Sequence, residues 1–424
     1  MKTIQNKIGK ETVIYAETFE AEAMEQVVKM ANFEPYQNET IRIMPDAHAG
    51  KGCTVGTTMT ITDKVTPNLV GVDIGCIDAN TEYLTPNGWK YISDFVNGDY
   101  ILQYDKNDDT ASFIKPIYYI IKDCDYFYHF KNSKGLDQML SEEHNVLVWK
   151  GYKNKGYNTI VMNPIEILLL GDKLNKGYYG IKSSFNINNK GINLTDNEIR
   201  IDVMVSADGT LRKNNIIELH LKKERKINRA ISLLKKSNIE FTQYNGSFND
   251  TYISFHDNSN KFTKDLCKYW NSSLEQLKIV AEESLHWDGH SGYRSYYSST
   301  NKSNADVIQC AFSAINIRAG ISTVKSEKDN LGDVYVVTPT KNNVINITNT
   351  INKVKSIDGK KYCFTVPTGY FVARRNGKIF ITGNCGMLTV KLKNKEIDFE
   401  KLDEVIKSKV PCGFNVHEKA QTEF

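Results

Sequence analysis

The sequence of 424 residues has no long apolar run, no clustered cysteines and little net charge. Its longest apolar stretch, IEILLL at 165–170, is too short to cross a bilayer. The start, MKTIQNKIGKE, lacks the apolar core of a signal peptide. The eight cysteines form no short pairs, which argues against a disulfide framework or a zinc ribbon and for a reducing compartment. We therefore expect a cytoplasmic protein without a membrane partner. The net charge of +4 does not by itself indicate nucleic-acid binding.

The residue pattern changes character along the chain. Residues 12–16 read as a strand and 21–32 as an amphipathic helix, whereas the region after Cys76 alternates aromatics, β-branched residues and turns. An NG turn between FVARR and KIFIT predicts a late hairpin. The predicted units are an α/β segment at 1–75, an all-β part at 76–165, a mixed α+β unit at 190–345, a second all-β part at 355–384 and a final α/β segment at 385–424.

Both changes of pattern coincide with a cysteine. Cys76 ends the strand-like segment GVDIGC, and Asn384 and Cys385 begin the segment NCGML. Joining Gly75 to Cys385 restores the continuous sequence GVDIGCGML. A thiolate at Cys76 can attack the preceding carbonyl and convert an amide into a thioester, and Cys385 can then accept the acyl group. The Asn384 side-chain amide can attack its own carbonyl and cut the chain. The two ends of one segment thus carry the three nucleophiles of protein splicing.

Longer motifs surround these nucleophiles: CIDANTEYLTPNGWKYISDFVNGDYI, SEEHNVLVW and YCFTVPTGYFVARRNGKIFITGNC. With them, residues 76–384 resemble an intein with the all-β, horseshoe-like Hint fold. The resemblance implies that His144 polarises and protonates the Gly75–Cys76 amide, that Ser141 assists, and that splicing needs no cofactor. The alternative is a purely structural role, in which Cys76 is a small buried hydrophobic residue and His144 is an ordinary core residue.

Two helper positions depart from the intein pattern. Inteins usually carry His before the terminal Asn, where this sequence has Gly383, and another His about a dozen residues earlier, where it has Thr368. The sequence leaves open which group replaces them. The candidates are Cys363, Arg374, Arg375 and Lys378.

Two segments of the mixed unit share a pattern, EIRIDVMVSADG at 198–209 and LKIVAEESLHWDG at 277–289. Each is a helix-like run closing on Asp-Gly, and we expect the glycine to end the helix. The pair resembles the two motif helices of LAGLIDADG homing endonucleases. The resemblance implies that Asp208 and Asp288 bind Mg²⁺ and cut double-stranded DNA.

The endonuclease resemblance is incomplete. The family's helix-contact glycine is Val203 in the first segment and Glu283 in the second, which we expect to disturb the helix crossing. The run LHLKKERKINRAISLLKK is expected to contact phosphate, and Lys302 is a further candidate for a polar contact. Solvated helix faces with Asp-Gly ends are the alternative interpretation.

The flanking segments contain PDAHAGKG and, across the junction, GVDIGCGM. They resemble the RtcB RNA ligases, which join RNA 3′-phosphate or 2′,3′-cyclic phosphate ends to 5′-hydroxyl ends with GTP and Mn²⁺. The resemblance implies Mn²⁺ ligands at Asp73 and at the junction cysteine, which is Cys76 before splicing and Cys385 afterwards. Asp46 and His48 are expected near that site. A buried cysteine beside a strand aspartate is the alternative.

The predicted architecture is therefore multidomain. An all-β Hint domain is split by an α+β LAGLIDADG endonuclease and flanked by partial α/β RtcB-like host segments. The family's histidine ligands lie further downstream than this chain reaches, so we expect an incomplete ligase. Two other interpretations stay open: an RNA ligase fragment with an inert insertion, and a DNA endonuclease that no longer splices.

Overall fold

A computed structural model describes residues 2–18, 20–50, 53–60, 75–152, 156–247, 250–290, 292, 294–325, 332–348 and 350–383, with Asp46 described by its backbone alone. The chain divides into two compact units, one of Met1–Asp73 with Met387–Phe424 and one of Ile74–Gly386. Among the described residues, no helix combines the length and the apolar character needed to cross a bilayer. Each unit is described by itself.

In its described residues, the first unit is a mixed sheet with one helix. Its elements are β1 (Lys2–Gln5), β2 (Glu11–Ile14), α1 (Ala21–Ala31), β3 (Ile41–His48) and β4 (Val55–Met59). The strand order is β1-β2-β3-β4, and β2 and β3 are parallel because α1 connects them. The other two strand pairs are antiparallel.

Helix α1 covers this sheet with one apolar face. Ala23, Val27 and Met30 are buried at helical spacing, and Val27 and Met30 pack with Ile14 and Ile43 of the strands. The strand and helix expected at 12–16 and 21–32 are thus confirmed within two residues.

The second unit begins with strands, all but the last of them paired antiparallel, and one short helix. They are β5 (Glu82–Thr85), β6 (Gly88–Tyr91), β7 (Ile101–Asp105), β8 (Thr110–Ile114), β9 (Tyr118–Asp123), β10 (Tyr126–Lys131), β11 (Asp137–Leu140), β12 (Val146–Tyr152), β13 (Gly156–Met162), α2 (Pro164–Leu169), β14 (Tyr179–Lys182) and β15 (Asn186–Ile187). Aromatic and β-branched residues fill these strands, in agreement with the all-β prediction for this region.

The middle of the second unit repeats one order of elements, helix-strand-strand-helix-strand-strand. The first copy is α3 (Asp196–Asp208), β16 (Gly209–Leu211), β17 (Ile216–Leu221), α4 (Glu224–Lys236), β18 (Phe241–Asn245) and β19 (Thr251–His256). The second is α5 (Leu274–Trp287), β20 (Gly289–His290), β21 (Tyr296–Ser299), α6 (Lys302–Ser313), β22 (Arg318–Val324) and β23 (Val334–Thr340). Capping boxes at Thr195 and Ser273 start α3 and α5, which pack against each other.

The last strands return to the β-rich part. They are β24 (Val344–Asn346), β25 (Ile351–Lys355), β26 (Lys360–Thr365), β27 (Tyr370–Arg375) and β28 (Lys378–Gly383). β27 and β28 form the predicted hairpin, in which Asn376 and Gly377 both have positive φ angles as a two-residue turn requires.

The repeated unit and the β-rich part share a sheet and a core. The sheet runs in the order β15-β8-β7-β27-β28-β22-β23-β21-β20, so β28 of the β-rich part neighbours β22 of the repeated unit. One apolar cluster likewise joins Leu102 and Phe185 to Ile199 and Val280. The insertion is therefore packed against the β-rich part through a continuous interior.

Candidate functional site

The backbone of Cys76 is held on two sides. Its neighbour Ile77 exchanges hydrogen bonds with Tyr362 of β26, both at 2.9 Å. The Cys76 N–H donates to the Ser141 hydroxyl at 2.9 Å, and the Ser141 N–H donates to the Cys76 carbonyl at 2.9 Å. Cys76 is fully buried. Ser141 therefore fixes the nitrogen of the Gly75–Cys76 amide, the bond that splicing would break first.

His144 lies at the end of a tight turn that begins at Ser141, whose carbonyl accepts the His144 N–H at 3.1 Å. Its side chain is buried, and Nε2 lies 2.7 Å from the Thr382 hydroxyl of β28. Burial lowers the pKa of His144 to about 4, while contacts with the backbone of Gly75 and Cys76 act in the opposite direction. The ring is thus neutral at pH 7 and faces the first junction.

Two glycines lie against the backbone that follows this turn. A Cβ atom on Gly75 would come within 2.5 Å of the His144 Cα, and a Cβ on Gly383 would collide with the Asn145 carbonyl oxygen. In both cases the obstacle is backbone rather than a movable side chain. The two ends of the inserted segment therefore meet at His144–Asn145, and neither position has room for a side chain.

A charged pair lies beside the buried sulfur of Cys76. Lys361 binds Glu143 at 3.1 Å. Burial disfavours the charged form of Lys361, but the bond to Glu143 and the electrostatic interaction with Cys76 outweigh it and raise the pKa of Lys361. A nearby cation stabilises a thiolate. Cys363 and Ile120 complete the apolar surroundings of Cys76.

Three of the four proposed replacements for the helper histidines are engaged elsewhere. Arg374 is buried against Glu82 and Asp306, and its guanidinium stacks over Trp89. Arg375 pairs with Asp78 and Asp137. Lys378 donates to the Ile321 carbonyl at 3.4 Å. These cations are held by the fold, so the structure does not support them as helpers; Cys363 alone of the four contacts Cys76.

Several predicted residues lie outside what the structure describes: Asp73, Asn384 and Cys385, together with the side chain of Asp46. His48 ends β3 and is exposed. Within the described ranges, no group of three or more His, Cys, Asp or Glu side chains is placed to hold a metal ion.

The structure brings Asp208 and Asp288 together at the ends of the packed helices α3 and α5. Lys226 of α4 lies between them, 2.5 Å from the Asp208 carboxylate and 4.0 Å from that of Asp288. Burial and the neighbouring Asp208 charge raise the pKa of Asp288. Two repelling carboxylates suit a divalent cation, and Mg²⁺ commonly completes its shell with water and substrate phosphates. The pair therefore fits a partial, open Mg²⁺ ligand set.

The helices end at these Asp-Gly pairs, as expected, with Gly209 as the C-cap residue of α3 and Asp288 as that of α5, but the glycines are not left-handed caps. Gly209 has an extended conformation (φ −79°, ψ 144°) rather than the left-handed one of a glycine C-cap. A Cβ there would lie 2.7 Å from the Val205 carbonyl oxygen, and one on Gly289 would lie 2.8 Å from the Tyr296 carbonyl oxygen. Glycine is required at both positions because the strand that leaves each helix packs closely against neighbouring backbone, and not because the φ angle is positive.

Glu283 does not disturb the helix crossing. It is fully buried, yet its carboxylate accepts hydrogen bonds from Arg200 at 3.0 Å, from the Arg229 Nε at 2.6 Å and from the Trp287 indole at 2.7 Å. These bonds lower the pKa of Glu283 against the opposing effect of burial. A satisfied buried carboxylate thus replaces the expected glycine contact and connects α3, α4 and α5.

The basic run, which begins in β17 and continues through α4, is divided between internal contacts and solvent. Lys226, Arg229 and Arg225 bind Asp208, Glu283 and the His286 carbonyl. The exposed lysines of the run are Lys222, Lys223, Lys235 and Lys236. Lys302 forms a local ion pair with Asp306. No pattern in the sequence indicated a stack of His220, Tyr252 and Tyr244 across β17, β19 and β18, with ring centroids 4.4 and 4.8 Å apart.

Comparison with known proteins finds a family similarity in the first part of the chain. Residues 26–162 match the family described as "tRNA-splicing ligase RtcB". The chain carries an RtcB-family segment at its N-terminus, as predicted. The RNA-splicing ligase RtcB of Escherichia coli (strain K12) is 42% identical over 57 residues, which are 13% of this chain and 14% of the ligase.

Other similarities cover more of the chain at lower identity. The ribonucleoside-diphosphate reductase subunit beta of Aquifex aeolicus (strain VF5) is 22% identical over 351 residues, 73% of this chain and 50% of that protein. The chain thus spans half the length of the reductase subunit and a small part of the ligase.

Among solved structures, a splice-inactive variant of the AceL NrdHF class 3 split intein matches 73% of this chain and 97% of its own, at 11% identity and a TM-score of 0.26. The endonuclease I-DmoI in complex with DNA and Ca matches 34% of this chain and 83% of its own, at 13% identity and a TM-score of 0.26.

Proposed function

We propose that residues 76–384 excise themselves and join Gly75 to Cys385. The observation that carries the proposal is the meeting of Gly75 and Gly383 at the His144–Asn145 backbone. Asn384 and Cys385 follow Gly383 directly, and consecutive Cα atoms are about 3.8 Å apart. No long-range movement of the chain is then needed to bring the second cysteine to the first junction.

The chemistry balances within one chain. The Cys76 sulfur bonds to the Gly75 carbonyl carbon, the C–N bond breaks, and the thiol proton ends on the freed nitrogen. The Cys385 sulfur then displaces the Cys76 sulfur from the same carbon. The Asn384 side-chain nitrogen attacks its own carbonyl and releases Cys385 as an amine, which takes the acyl group from its sulfur to form the Gly75–Cys385 amide.

Ser141 and His144 serve the first step in this scheme. Ser141 accepts a hydrogen bond from the Cys76 N–H and so fixes the position of the nitrogen that leaves when the C–N bond breaks. His144 faces the same amide as a neutral ring and is suited to deliver a proton to that nitrogen. Lys361 stabilises the attacking thiolate.

The test is a time course of intact masses for residues 1–424, with Asn384→Ala and Cys76→Ala variants alongside. Splicing requires a 76–384 species and a product of 1–75 joined to 385–424, both absent from the variants. A Cys76→Ala precursor that matches the wild type in mass at all times would instead favour the alternative of an inert insertion.

We further propose that the repeated unit is a site-specific endonuclease for double-stranded DNA. The paired Asp208 and Asp288 carboxylates support this, and Mg²⁺ held there would stabilise the leaving oxygen of a phosphodiester. The stacked Tyr244, Tyr252 and His220 lie on a sheet whose exposed face can contact DNA. Nicking of DNA spanning the host insertion point, lost in Asp208→Ala and Asp288→Ala, is the expected result. If those variants nick normally, the carboxylate pair is not the site.

For the host, we propose an RNA ligase of 3′-phosphate and 5′-hydroxyl ends that uses Mn²⁺ and GTP, with Asp73 and Cys385 as metal ligands. The RtcB-family segment supports the class. Because the junction cysteine would be a ligand, the precursor is proposed to be inactive until splicing restores it. The free thiols that splicing needs support a reducing, cytoplasmic location. A complete spliced host no more active than its precursor would refute the link.

A further inference from the structure

The structure leaves one question about the junctions, which is how the site works without the usual histidine before Asn384. Gly383 cannot carry any side chain in this conformation, because a Cβ atom would collide with the Asn145 carbonyl oxygen. The preceding residue of β28, Thr382, points its side chain to the other face of the strand. Its hydroxyl meets Nε2 of His144 at 2.7 Å.

Both partners of this hydrogen bond are buried, with Thr382 2% and His144 1% exposed. The bond joins residues 238 positions apart in the chain. It connects the strand that leads to the second junction with the residue that faces the first. The contact is therefore shielded from water and occurs only when both ends of the inserted segment are in place.

We propose that Thr382 is a positioning residue that fixes the orientation and the tautomer of His144. The inference rests on the proposed splicing function. It adds a residue that lies next to the second junction in the sequence but acts at the first junction.

The tautomer follows from the partners of the two ring nitrogens. The neutral ring carries one proton. Its Nε2 has the Thr382 hydroxyl as partner, whereas Nδ1 is buried and has no hydrogen-bond partner among the described residues. The backbone of Gly75 and Cys76 acts on the ring in the direction that carbonyl acceptors do. Because Nε2 is engaged by Thr382, a proton on Nδ1 is the one that those carbonyls can favour. Nε2 is then the acceptor, and the Thr382 hydroxyl donates to it.

The consequence is chemical as well as structural. With the proton on Nδ1, His144 presents a donor to the Gly75–Cys76 peptide, and the proton that it gives to the freed nitrogen is replaced by the proton that the Cys76 thiol loses. Without the hydroxyl, the ring is free to move its proton to Nε2, which would leave an acceptor facing the amide. A donor is what the departing nitrogen requires.

The test separates the two cleavages. In an Asn384→Ala background, dithiothreitol releases residues 1–75 only after the first acyl shift; in a Cys76→Ala background, cleavage after Asn384 reports the second junction alone. We expect Thr382→Val to slow the thiol-dependent release at least tenfold and to change cleavage after Asn384 less than threefold. Thr382→Ser, which keeps the hydroxyl, stays within threefold of wild type in both.

A matched control is Thr365→Val, which removes another buried threonine hydroxyl from a strand, β26. It should leave both rates near those of the parent. Equal losses of both cleavages in Thr382→Val would overturn the proposal, because they indicate a distorted β28 rather than a mispositioned histidine. Unchanged rates would overturn it as well.

Nitrogen-15 shifts of His144, measured in the Cys76→Ala, Asn384→Ala precursor, test the tautomer without any change at Thr382. The proposal requires a protonated Nδ1 and an accepting Nε2; the reverse pattern contradicts it even if Thr382→Val fails to fold. Failure of the splicing function looks different. In that case the parent itself gives neither thiol-dependent release nor ligated product, whatever residue 382 is.

Discussion

The two candidate sites of the second unit differ in burial, charge and the origin of their residues. The candidate splicing site is buried and centred on a neutral histidine, and its parts come from positions near 76, 141–145 and 382–383. The acidic pair is partly exposed, charged, and formed by equivalent positions of a structural repeat. A site whose substrate is its own backbone can be closed to water, whereas one that accepts an external polyanion has to stay open.

The largest expected effect concerns the boundary between these two regions. Arg374 of β27 is buried between Glu82 of β5 and Asp306 of α6. Arg374→Met leaves Glu82 without its partner and Asp306 with the exposed Lys302 alone, and we expect a loss of about 3–5 kcal/mol in the free energy of unfolding. Urea denaturation of a Cys76→Ala, Asn384→Ala precursor measures it.

The same experiment asks whether the two regions unfold together. A single transition that shifts as a whole would show that they do; two transitions of which only one moves would show that they are independent. Adding Glu82→Gln and Asp306→Asn to Arg374→Met should recover most of the loss in the free energy of unfolding, because no buried charge is then left without a partner. The exposed pair of Lys360 and Asp123 supplies the control, and Lys360→Met should change little.

The second effect is acid lability of the splicing region. Burial holds the pKa of His144 near 4 in the folded chain, below its ordinary value near 6.5. At a pH between these two values, the unfolded chain binds a proton at His144 that the folded chain does not. The contribution of His144 to the free energy of unfolding is therefore fully present above about pH 6.5 and falls as the pH drops, by on the order of 3 kcal/mol at pH 4. Denaturation at several pH values should show a reduced slope in His144→Gln. An equal slope would mean that other groups cause the loss.

The third effect is steric and confined to the junctions. Gly383→Ala and Gly75→Ala push the chain away from the His144–Asn145 backbone, and we expect each to slow processing about 100-fold, since displacements near 1 Å cost about that much. Intact mass spectrometry measures the rates. Gly332→Ala is the control, because a Cβ there meets nothing within 4 Å. Normal rates in the junction variants would refute the crowding argument.

The smallest effect lies in the acidic pair. Burial and Asp208 raise the pKa of Asp288, so its ionisation opposes folding and stability falls as the pH rises through that pKa. Asp288→Asn should therefore raise the melting temperature at pH 7 by a few degrees, about 0.5–1 kcal/mol. Asp208→Asn should lower it, because the contact with Lys226 is lost. The same direction for both would argue against repulsion within the pair.

Local patterns in the sequence predicted the local structure well. The helix at Ala21–Ala31, the Asn-Gly hairpin and the two helices that close on Asp-Gly are all present, because periodicity and turn residues act over a few positions. The RtcB-family segment is confirmed as well, and one of its two motifs, PDAHAGKG, is contiguous in the chain. The domain limits and the roles of the site residues stay predictions.

The features that the sequence did not predict depend on contacts between residues that are far apart in the chain. Nothing at Glu283 indicates that Arg229 of another helix neutralises it, and nothing at Gly209 distinguishes a left-handed cap from close packing. The partnership of Thr382 with His144 spans most of the inserted segment. Such pairs depend on the whole topology, so single-sequence reasoning could propose the nucleophiles but not the residues that orient them.

The crowding of Gly75 against His144 also bears on where such an element can settle in a genome. Under the proposed function, the residue before the element belongs to the host and is chosen before the element arrives. Only genes that already encode glycine at that point can receive it without loss of processing. Recognition of a DNA site would then be one filter on its spread, and the shape of the Gly75 position in the folded precursor would be a second, acting at the level of the protein product.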